Sequence, residues 1–467
     1  MTKIGLEIHC QLTSLNSKLF CPCSSEYLNF TANMNTCPIC LGHPGTLPLL
    51  NKEAIKFAIS IAQSLHCKIP EKIAFFRKNY FYPNLPKNYQ ITQLNVYGDT
   101  SIGVDGSIDI DGKIRITRIQ LEEDPGRLVY EGASENTKVP MVDYNRSGIA
   151  LVEIVTEPDF KSPAQTRQFL NTLSEILKNL QVSDPTLEGA MRVDGNVSVP
   201  GGAKVEIKNV GSFHELEKAL NYEITRQNTL IGNDNKIDQE TRHWDDRRKI
   251  TIPSRSKELD LDYRYFLEND IPWVVLSKKL LDDIKKMTPE NFETRRERYI
   301  QEYGINSQVS NILVTERYFY ELFDEACTPQ NAKDLANLIT TDLMGLLNSK
   351  EAQGNSKLTP AHLASLLTAL ERKDITRPSA KKAISVMIEQ GTDLDDIISN
   401  LNLGGTIQDD SIEKIINDIL KRQPEIKDSV INNPQAINFL VGKVMKESNG
   451  KANPTTILLL IKKILKV

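Results

Sequence analysis

Apolar and polar residues alternate with period two along Ile4-Gly5-Leu6-Glu7-Ile8-His9, which places Glu7 and His9 on one face of an extended strand and Leu6 and Ile8 on the other. Two further strand-like stretches carry acids among aliphatic neighbours: Gln120-Leu121-Glu122-Glu123-Asp124 and Leu151-Val152-Glu153-Ile154-Val155. A carboxylate is costly to bury unless it is paired, hydrogen-bonded or bound to a metal, so acids in such sequence mark a site. The plainer reading of any one stretch is a sheet whose polar face is wet. Together, Glu7, Glu122 and Glu153, joined by His9 and Glu123, can converge on a hard divalent cation such as Mg2+. His9 is either a ligand of that cation or the partner that orients Glu7.

The same patterning predicts the elements. Residues 1 to 160 read mainly as strands and turns, with Ile108-Asp109-Ile110 and Ile114-Arg115-Ile116 flanking an Asp111-Gly112 hairpin turn. Ser162-Pro163 opens a helix on which Phe169, Leu170, Leu173, Ile176, Leu177 and Leu180 recur at helical spacing. Strand-like sequence returns from Met191 to Asn209, and a second helix follows with Leu216, Leu220 and Ile224 on one face. Beyond about Pro289 the pattern is almost wholly helical, with capped starts at Thr359-Pro360 and Asn433-Pro434 and an apolar face at Leu363, Leu366, Leu367 and Leu370. The expected fold class is α+β, with a mixed domain over 1–289, an all-α helical domain over 290–407 and a small α-helical tail domain over 408–467. Gly404-Gly405-Thr406 marks the break before the tail.

Charge is unevenly spread. The chain has 467 residues and a net charge of -4, but from Ser411 onward Lys and Arg exceed Asp and Glu by ten to five. A basic tail on an acidic body suits a polyanionic partner, although such a segment is also simply soluble. No run of 18 apolar residues occurs and only three residues precede Ile4, so the expectation is a cytoplasmic protein with no membrane segment.

Four of the seven cysteines lie within twenty residues, as Cys21-Pro22-Cys23 and Cys37-Pro38-Ile39-Cys40. Two closely spaced pairs can present four thiolates tetrahedrally, which predicts a closed structural Zn2+ site; a disulfide or free thiols are the alternatives. Cys10, Cys67 and Cys327 read as small buried hydrophobes.

There is no phosphate-loop motif, no dinucleotide fingerprint and no nucleophile elbow, so a nucleotide must be held by another device and any ammonia must come from another chain. The segment Arg77-Lys78-Asn79-Tyr80-Phe81-Tyr82-Pro83-Asn84-Leu85-Pro86-Lys87-Asn88-Tyr89-Gln90 interleaves basic, amide and aromatic side chains, a composition suited to phosphate oxygens and a stacked ring. Arg77, Tyr80 and Tyr82 are therefore candidate contacts for the phosphates and ring of a nucleotide cofactor. Lys78 and Lys87 are candidates for phosphate contacts or for a polar ammonia path. Arg192, Asn196 and Lys208, in alternating strand-like sequence, are candidate site-lining residues.

With Leu121-Glu122-Glu123-Asp124-Pro125-Gly126, Asp143-Tyr144-Asn145-Arg146-Ser147-Gly148, Asp262-Tyr263-Arg264-Tyr265-Phe266 and Phe439-Leu440-Val441-Gly442-Lys443-Val444-Met445, these segments closely resemble the B subunits of the aspartyl/glutamyl-tRNA amidotransferases. The resemblance implies a catalytic cradle domain, a helical domain and a tail that reads tRNA. It also implies ATP-dependent activation of the side-chain carboxyl of Glu-tRNA(Gln) or Asp-tRNA(Asn), followed by displacement of phosphate by ammonia. The expected partners are tRNA and the amidase (glutaminase) A subunit, with the small C subunit completing a heterotrimer. The four cysteines resemble the zinc-bearing branch of that family. Two other classes compete: a non-catalytic zinc-braced tRNA-binding module, which leaves the acids in strands unexplained, and a stand-alone metallohydrolase, which leaves the tail unexplained.

Overall fold

The computed structural model describes residues 2–95, 97–131, 139–254, 263–401, 409–424, 426, 437–448, 452 and 454–465. The chain forms two compact units, Met1–Asn291 and Phe292–Val467.

The first unit is built on an eight-stranded sheet. Its strands are β1 (Lys3–Gln11), β2 (Gly103–Asp109), β3 (Lys113–Glu123), β4 (Ala150–Thr156), β5 (Met191–Ser198), β6 (Val205–Lys208), β7 (Glu240–Asp245) and β8 (Ile250–Pro253). Their order across the sheet is β8-β7-β6-β5-β1-β4-β3-β2, and only β6 and β7 are parallel. That parallel pair needs a crossover, which helix α3 (Phe213–Gly232) supplies. The Asp111-Gly112 turn joins β2 to β3 as expected, with positive φ at both residues.

Alternation sorts the strands into two faces. Ile4, Leu6, Ile8 and Cys10 of β1, Ile119 and Leu121 of β3, Val152 and Ile154 of β4 and Val193 and Val197 of β5 are buried together in one core. Three helices supply its other side: α1 (Lys52–Ser64), α2 (Pro163–Asn179) and α3, through residues such as Ile59, Phe169, Leu173, Leu216 and Leu220. Ser162 caps α2 by accepting from Gln165 N, and Pro163 follows at the first helical position. Helix α1 departs from the expectation of strands and turns before residue 160. Its small and aliphatic residues satisfy either period, and what selects the helix is the Asn51 cap, which accepts from Glu53 N and Ala54 N, together with burial of Ala54, Ile55, Ala58, Ile59 and Ala62 on one stripe.

Among the described residues the second unit is all helical and contains two separate cores. One runs from Tyr299 to Ile397, and the other, from Ile412 to Leu465, belongs to three helices spanning Asp409–Arg422, Ile437–Glu447 and Pro454–Leu465. Thr359 caps the helix Pro360–Glu371 in a reciprocal box with His362. Leu363, Leu366 and Leu367 are buried and Leu370 packs partly buried against them. Gly404-Gly405-Thr406, the Asn433-Pro434 helix start and Asp262 lie outside the described residues. Among the described residues no helix is long and apolar enough to cross a membrane.

The helical layer is pinned to the sheet by Phe169, whose ring meets Phe160 edge-on at 5.2 Å, while Phe160 bridges to Ile4. Replacing Phe169 with Ala is expected to cost about 3–5 kcal/mol of stability by leaving a cavity, read as a lowered denaturant midpoint for the first unit.

Candidate active site

The polar face of the sheet carries the acids. In register, His9 lies opposite Glu153 of β4 and Arg192 of β5, Glu7 lies opposite Asp194, and Gln120 lies opposite Glu153. Residues directly opposite on adjacent strands share a face, so these side chains converge without any loop to aim them. His9 Nε2 stands 3.7 Å from one oxygen each of Glu7, Glu122 and Glu153. Those are charge contacts and are too long for strong hydrogen bonds. Donor atoms of His9, Glu122 and Glu153 lie within 4.8 Å of one another, and so do those of Glu7, His9 and Asp194.

Burial sets the electrostatics. It works against the imidazolium of His9, but Glu153, Glu122 and Glu7 outweigh it and hold the ring charged, with a pKa of about 9. Burial and then the neighbouring Glu153 push Glu122 up to about 7, so this carboxyl is reluctant to ionise beside its neighbours. Burial also opposes ionisation of Glu153, yet His9, and then Arg118 with Lys78, bring it down to about 2. Glu7 is raised by burial and by Glu153. Thr92 Oγ1 donates to Glu122 Oε2 at 2.9 Å and Arg118 Nη2 donates to Glu153 Oε1 at 3.2 Å, which fixes the two carboxylates from behind. Four acids around one imidazole are an oxygen-rich donor set, the chemistry that suits a hard cation.

The cluster floors a cleft of about 450 Å³. Three cations rim it. Lys78 lies 4.6 Å from the Tyr263 ring, Arg192 Nη2 donates to Asp124 Oδ1 at 2.8 Å, and Lys208 Nζ donates to Asp194 Oδ2 at 2.9 Å. Tyr80 and Gln90 complete one wall, and Asn209-Val210-Gly211, which leads into α3, completes another. Asp124 is fully buried and also accepts from Gln11 Nε2 at 2.6 Å, so it acts as the anchor that aims Arg192.

Strand alternation divides the expected site in two. Lys78 pairs with Gln90 and faces the acid cleft, whereas the adjacent Arg77 pairs with Ile91 and faces a second, smaller cavity of about 200 Å³. In the same way Glu122 enters the cleft and Glu123 turns to the other face, where Lys87 Nζ meets its Oε1 at 2.5 Å and Ile91 N donates to it. Glu123 and Lys87 are therefore not part of the Glu7, Glu122 and Glu153 cluster, a correction to the expectation that Glu123 shares the same cation. Arg77 is not a cleft residue either: its guanidinium forks onto Glu268 at 2.6 and 2.8 Å. Tyr82 packs edge-on against Tyr80 and Asn196 sits one alternation beyond Asp194; neither lines the cleft. Sequence reasoning missed Asp194, Asp124, Thr92 and Arg118. For Asp194 the signal was present, since it alternates with Arg192 on the polar face of β5.

The four cysteines come together. Their sulfurs lie within 4.8 Å of one another, and none of the chain's seven cysteines forms a disulfide. Cys37 N donates to Cys40 Sγ at 3.1 Å, and the fully buried Lys18 brings its Nζ to 3.8 Å from the same sulfur. Hydrogen bonding from Cys21, and the nearby Lys18 against the effect of burial, bring the Cys40 thiol down to about 5.

Comparison with known proteins agrees with this architecture. The family described as GatB/GatE catalytic domain matches residues 2–282, and the one described as GatB domain matches residues 321–465. The B subunit of the aspartyl/glutamyl-tRNA(Asn/Gln) amidotransferase from Sulfolobus acidocaldarius is 43% identical over 468 residues, covering 99% of each chain. Proteins of the same name from Methanospirillum hungatei and Thermotoga maritima are 42% and 40% identical, each over 99% of this chain and 98% of the relative. The chain therefore belongs to the family of aspartyl/glutamyl-tRNA(Asn/Gln) amidotransferase B subunits.

Proposed function

We infer that this chain is the component of a glutamine-hydrolysing amidotransferase that activates the side-chain carboxyl of Glu-tRNA(Gln), Asp-tRNA(Asn) or both, using ATP, and converts it to the amide. The observation that carries the reading is the acid cluster around His9 beneath a rim of Lys78, Arg192 and Lys208. A carboxylate is a poor acyl donor. Its oxygen attacks the γ-phosphoryl in line, ADP leaves, and the resulting acyl phosphate is open to ammonia, which displaces phosphate to give the amide. Both reactants are anionic, so the protein must gather positive charge where they meet. Lys78, Arg192 and Lys208 are placed to take phosphate oxygens. Glu7, Glu122, Glu153 and Asp194 are the residues that would hold Mg2+, with the charged His9 as the partner that orients their carboxylates. Bound there, the ion supplies charge neutralisation for the phosphates.

Ammonia is released elsewhere, by the amidase partner. The second cavity, with Lys87 and Glu123 on its wall, suits a polar route for a small base, because a paired acid and ammonium can pass a proton on. Cys21, Cys23, Cys37 and Cys40 form a closed donor set for Zn2+, with Lys18 offsetting its excess negative charge. The three-helix tail, with Lys443, Lys446, Lys462 and Lys463, is assigned to tRNA. A cytoplasmic heterotrimer with the amidase and the small third chain is the setting these assignments imply. A zinc-braced binding module without catalysis leaves the acid cluster with no purpose, and the tail argues against a stand-alone metallohydrolase.

Three measurements test these assignments. Glu122→Gln and Glu153→Gln are each expected to lower ATP-dependent phosphorylation of the aminoacyl group by about two orders of magnitude or more, with the fold intact; near wild-type rates in both would remove the acid cluster from the reaction. Metal analysis of protein purified under reducing, chelator-free conditions is expected to find about one zinc per chain, lost on replacing any of the four cysteines with Ser. Deleting residues 408–467 is expected to raise KM for aminoacyl-tRNA far more than it lowers turnover at saturation, and to flatten the salt dependence of tRNA binding. Unchanged tRNA affinity would assign the tail elsewhere.

A further inference from the structure

The cysteine turn does more than gather four thiols. Leu41 N donates to Cys37 O at 3.1 Å and Gly42 N to Ile39 O at 3.0 Å, so the chain leaving Cys40 is folded tightly back on itself. Gly42 has φ +68°, and its α-carbon lies flat against the stem of Lys87: a β-carbon there would stand 2.5 Å from Lys87 Cγ and 3.3 Å from Lys87 Cα. These are atoms near the backbone, which cannot swing aside as a side-chain tip can. Lys87 is itself held on Glu123, and both side chains are almost wholly buried. On the other side, a β-carbon on Gly148 would lie 3.5 Å from Cys40 Cβ and 3.9 Å from Glu123 Oε2. The cysteine turn and the Lys87–Glu123 pair thus line one cavity and approach each other at Gly42 and Gly148.

We propose that the metal-loaded cysteine turn is the positioning element for Lys87, with Gly42 as the residue through which it acts, so that occupancy of the four-cysteine site decides whether Lys87 is held on Glu123. The physical reason is desolvation. A buried ammonium–carboxylate pair keeps its geometry only while water is excluded from it, and the wall that excludes water here is a turn with no regular secondary structure. Four sulfurs on one ion pin that turn at both ends; without the ion the turn is held by a few backbone hydrogen bonds and opens locally. This inference rests on reading the cysteines as a metal site, and its consequence for the reaction rests on reading the cavity as the ammonia side.

Gly45 supplies the control. It lies in the same loop with φ +85°, yet no atom lies within 4 Å of a β-carbon built on it. Gly42→Ala and Gly45→Ala therefore impose similar backbone strain, and only the first pushes on Lys87. The assembled enzyme is treated with an amine-acetylating reagent and labelling is read residue by residue by mass spectrometry. Lys87 is expected to label about tenfold faster in Gly42→Ala and in chelator-stripped wild type than in untreated wild type, to return to protection when zinc is restored, and to stay protected in Gly45→Ala. The far-ultraviolet circular dichroism should not change in any of them. Lys87 remaining protected in Gly42→Ala, or in the stripped enzyme, overturns the proposal; if full stripping melts the domain, seen as lost circular dichroism, the labelling is read at the highest chelator concentration that leaves that signal intact. KM for ammonium is measured alongside and is expected to rise in Gly42→Ala while the rate of aminoacyl phosphorylation stays at the wild-type value. Faster labelling with an unchanged KM for ammonium would discard the ammonia reading of the cavity and leave the coupling of metal to Lys87 standing.

Discussion

Glu7, Glu122 and Glu153 each lie 3.7 Å from the same nitrogen of His9, and the rest of the first unit is arranged so that this contact can exist. Carboxylates gathered this closely repel one another, and burial adds the loss of their hydration. The imidazolium, held charged up to about pH 9, offsets part of that cost, and Thr92 and Arg118 bind the outer oxygens. What is left over is a carboxylate-rich site in which Glu122 is the group most reluctant to ionise. Such a site is stable as folded protein and offers the oxygen donors that a hard cation would take.

The eight-stranded sheet is what makes the cluster affordable. One face is committed to α1, α2 and α3 and is almost wholly aliphatic, so the sheet is stable without help from its polar face. The acids stand on the three strands β1, β4 and β3, with β5 adding Arg192 and Asp194 from the other side of β1. Because neighbouring strands are in strict register there, the donor positions are set by backbone hydrogen bonds and not by side-chain flexibility. The rim cations Lys78, Arg192 and Lys208 come from a different small sheet and from β5 and β6, so they are carried on other strands than the three glutamates.

Alternation also explains why one chain can present two chemically distinct cavities a residue apart. Arg77 and Lys78, Gln90 and Ile91, and Glu122 and Glu123 are three pairs of sequence neighbours, and each pair is split between the acid cleft and the cavity beneath the cysteine turn. In the cleft, acids are in excess and cations sit at the rim. In the smaller cavity each cation is held on acid: Lys87 on Glu123, and Arg77 on Asp270 and on the buried Glu268 behind it. The strand between them is the partition.

Much of this was legible in the linear chain. Acids at aliphatic positions, two cysteine pairs, the Asp111-Gly112 turn, the Ser162-Pro163 cap and the helical period beyond about Pro289 are local signals, each arising from the chemistry of a few adjacent residues. Local chemistry determined that β1, β3 and β4 carry acids and that Cys21, Cys23, Cys37 and Cys40 belong together. It could not separate helix from strand at residues 52–64, where small aliphatic residues fit both periods until the rest of the core selects one. Nor could it say which acids meet. Whether Glu122 or Glu123 joins His9 depends on which side of β3 faces the helices, and whether Arg77 or Lys78 enters the cleft depends on how its strand pairs with Tyr89–Thr92. Those choices are made by strand register and by burial of the opposite face, which are properties of contacts between residues far apart in the chain; only the tertiary structure decided them.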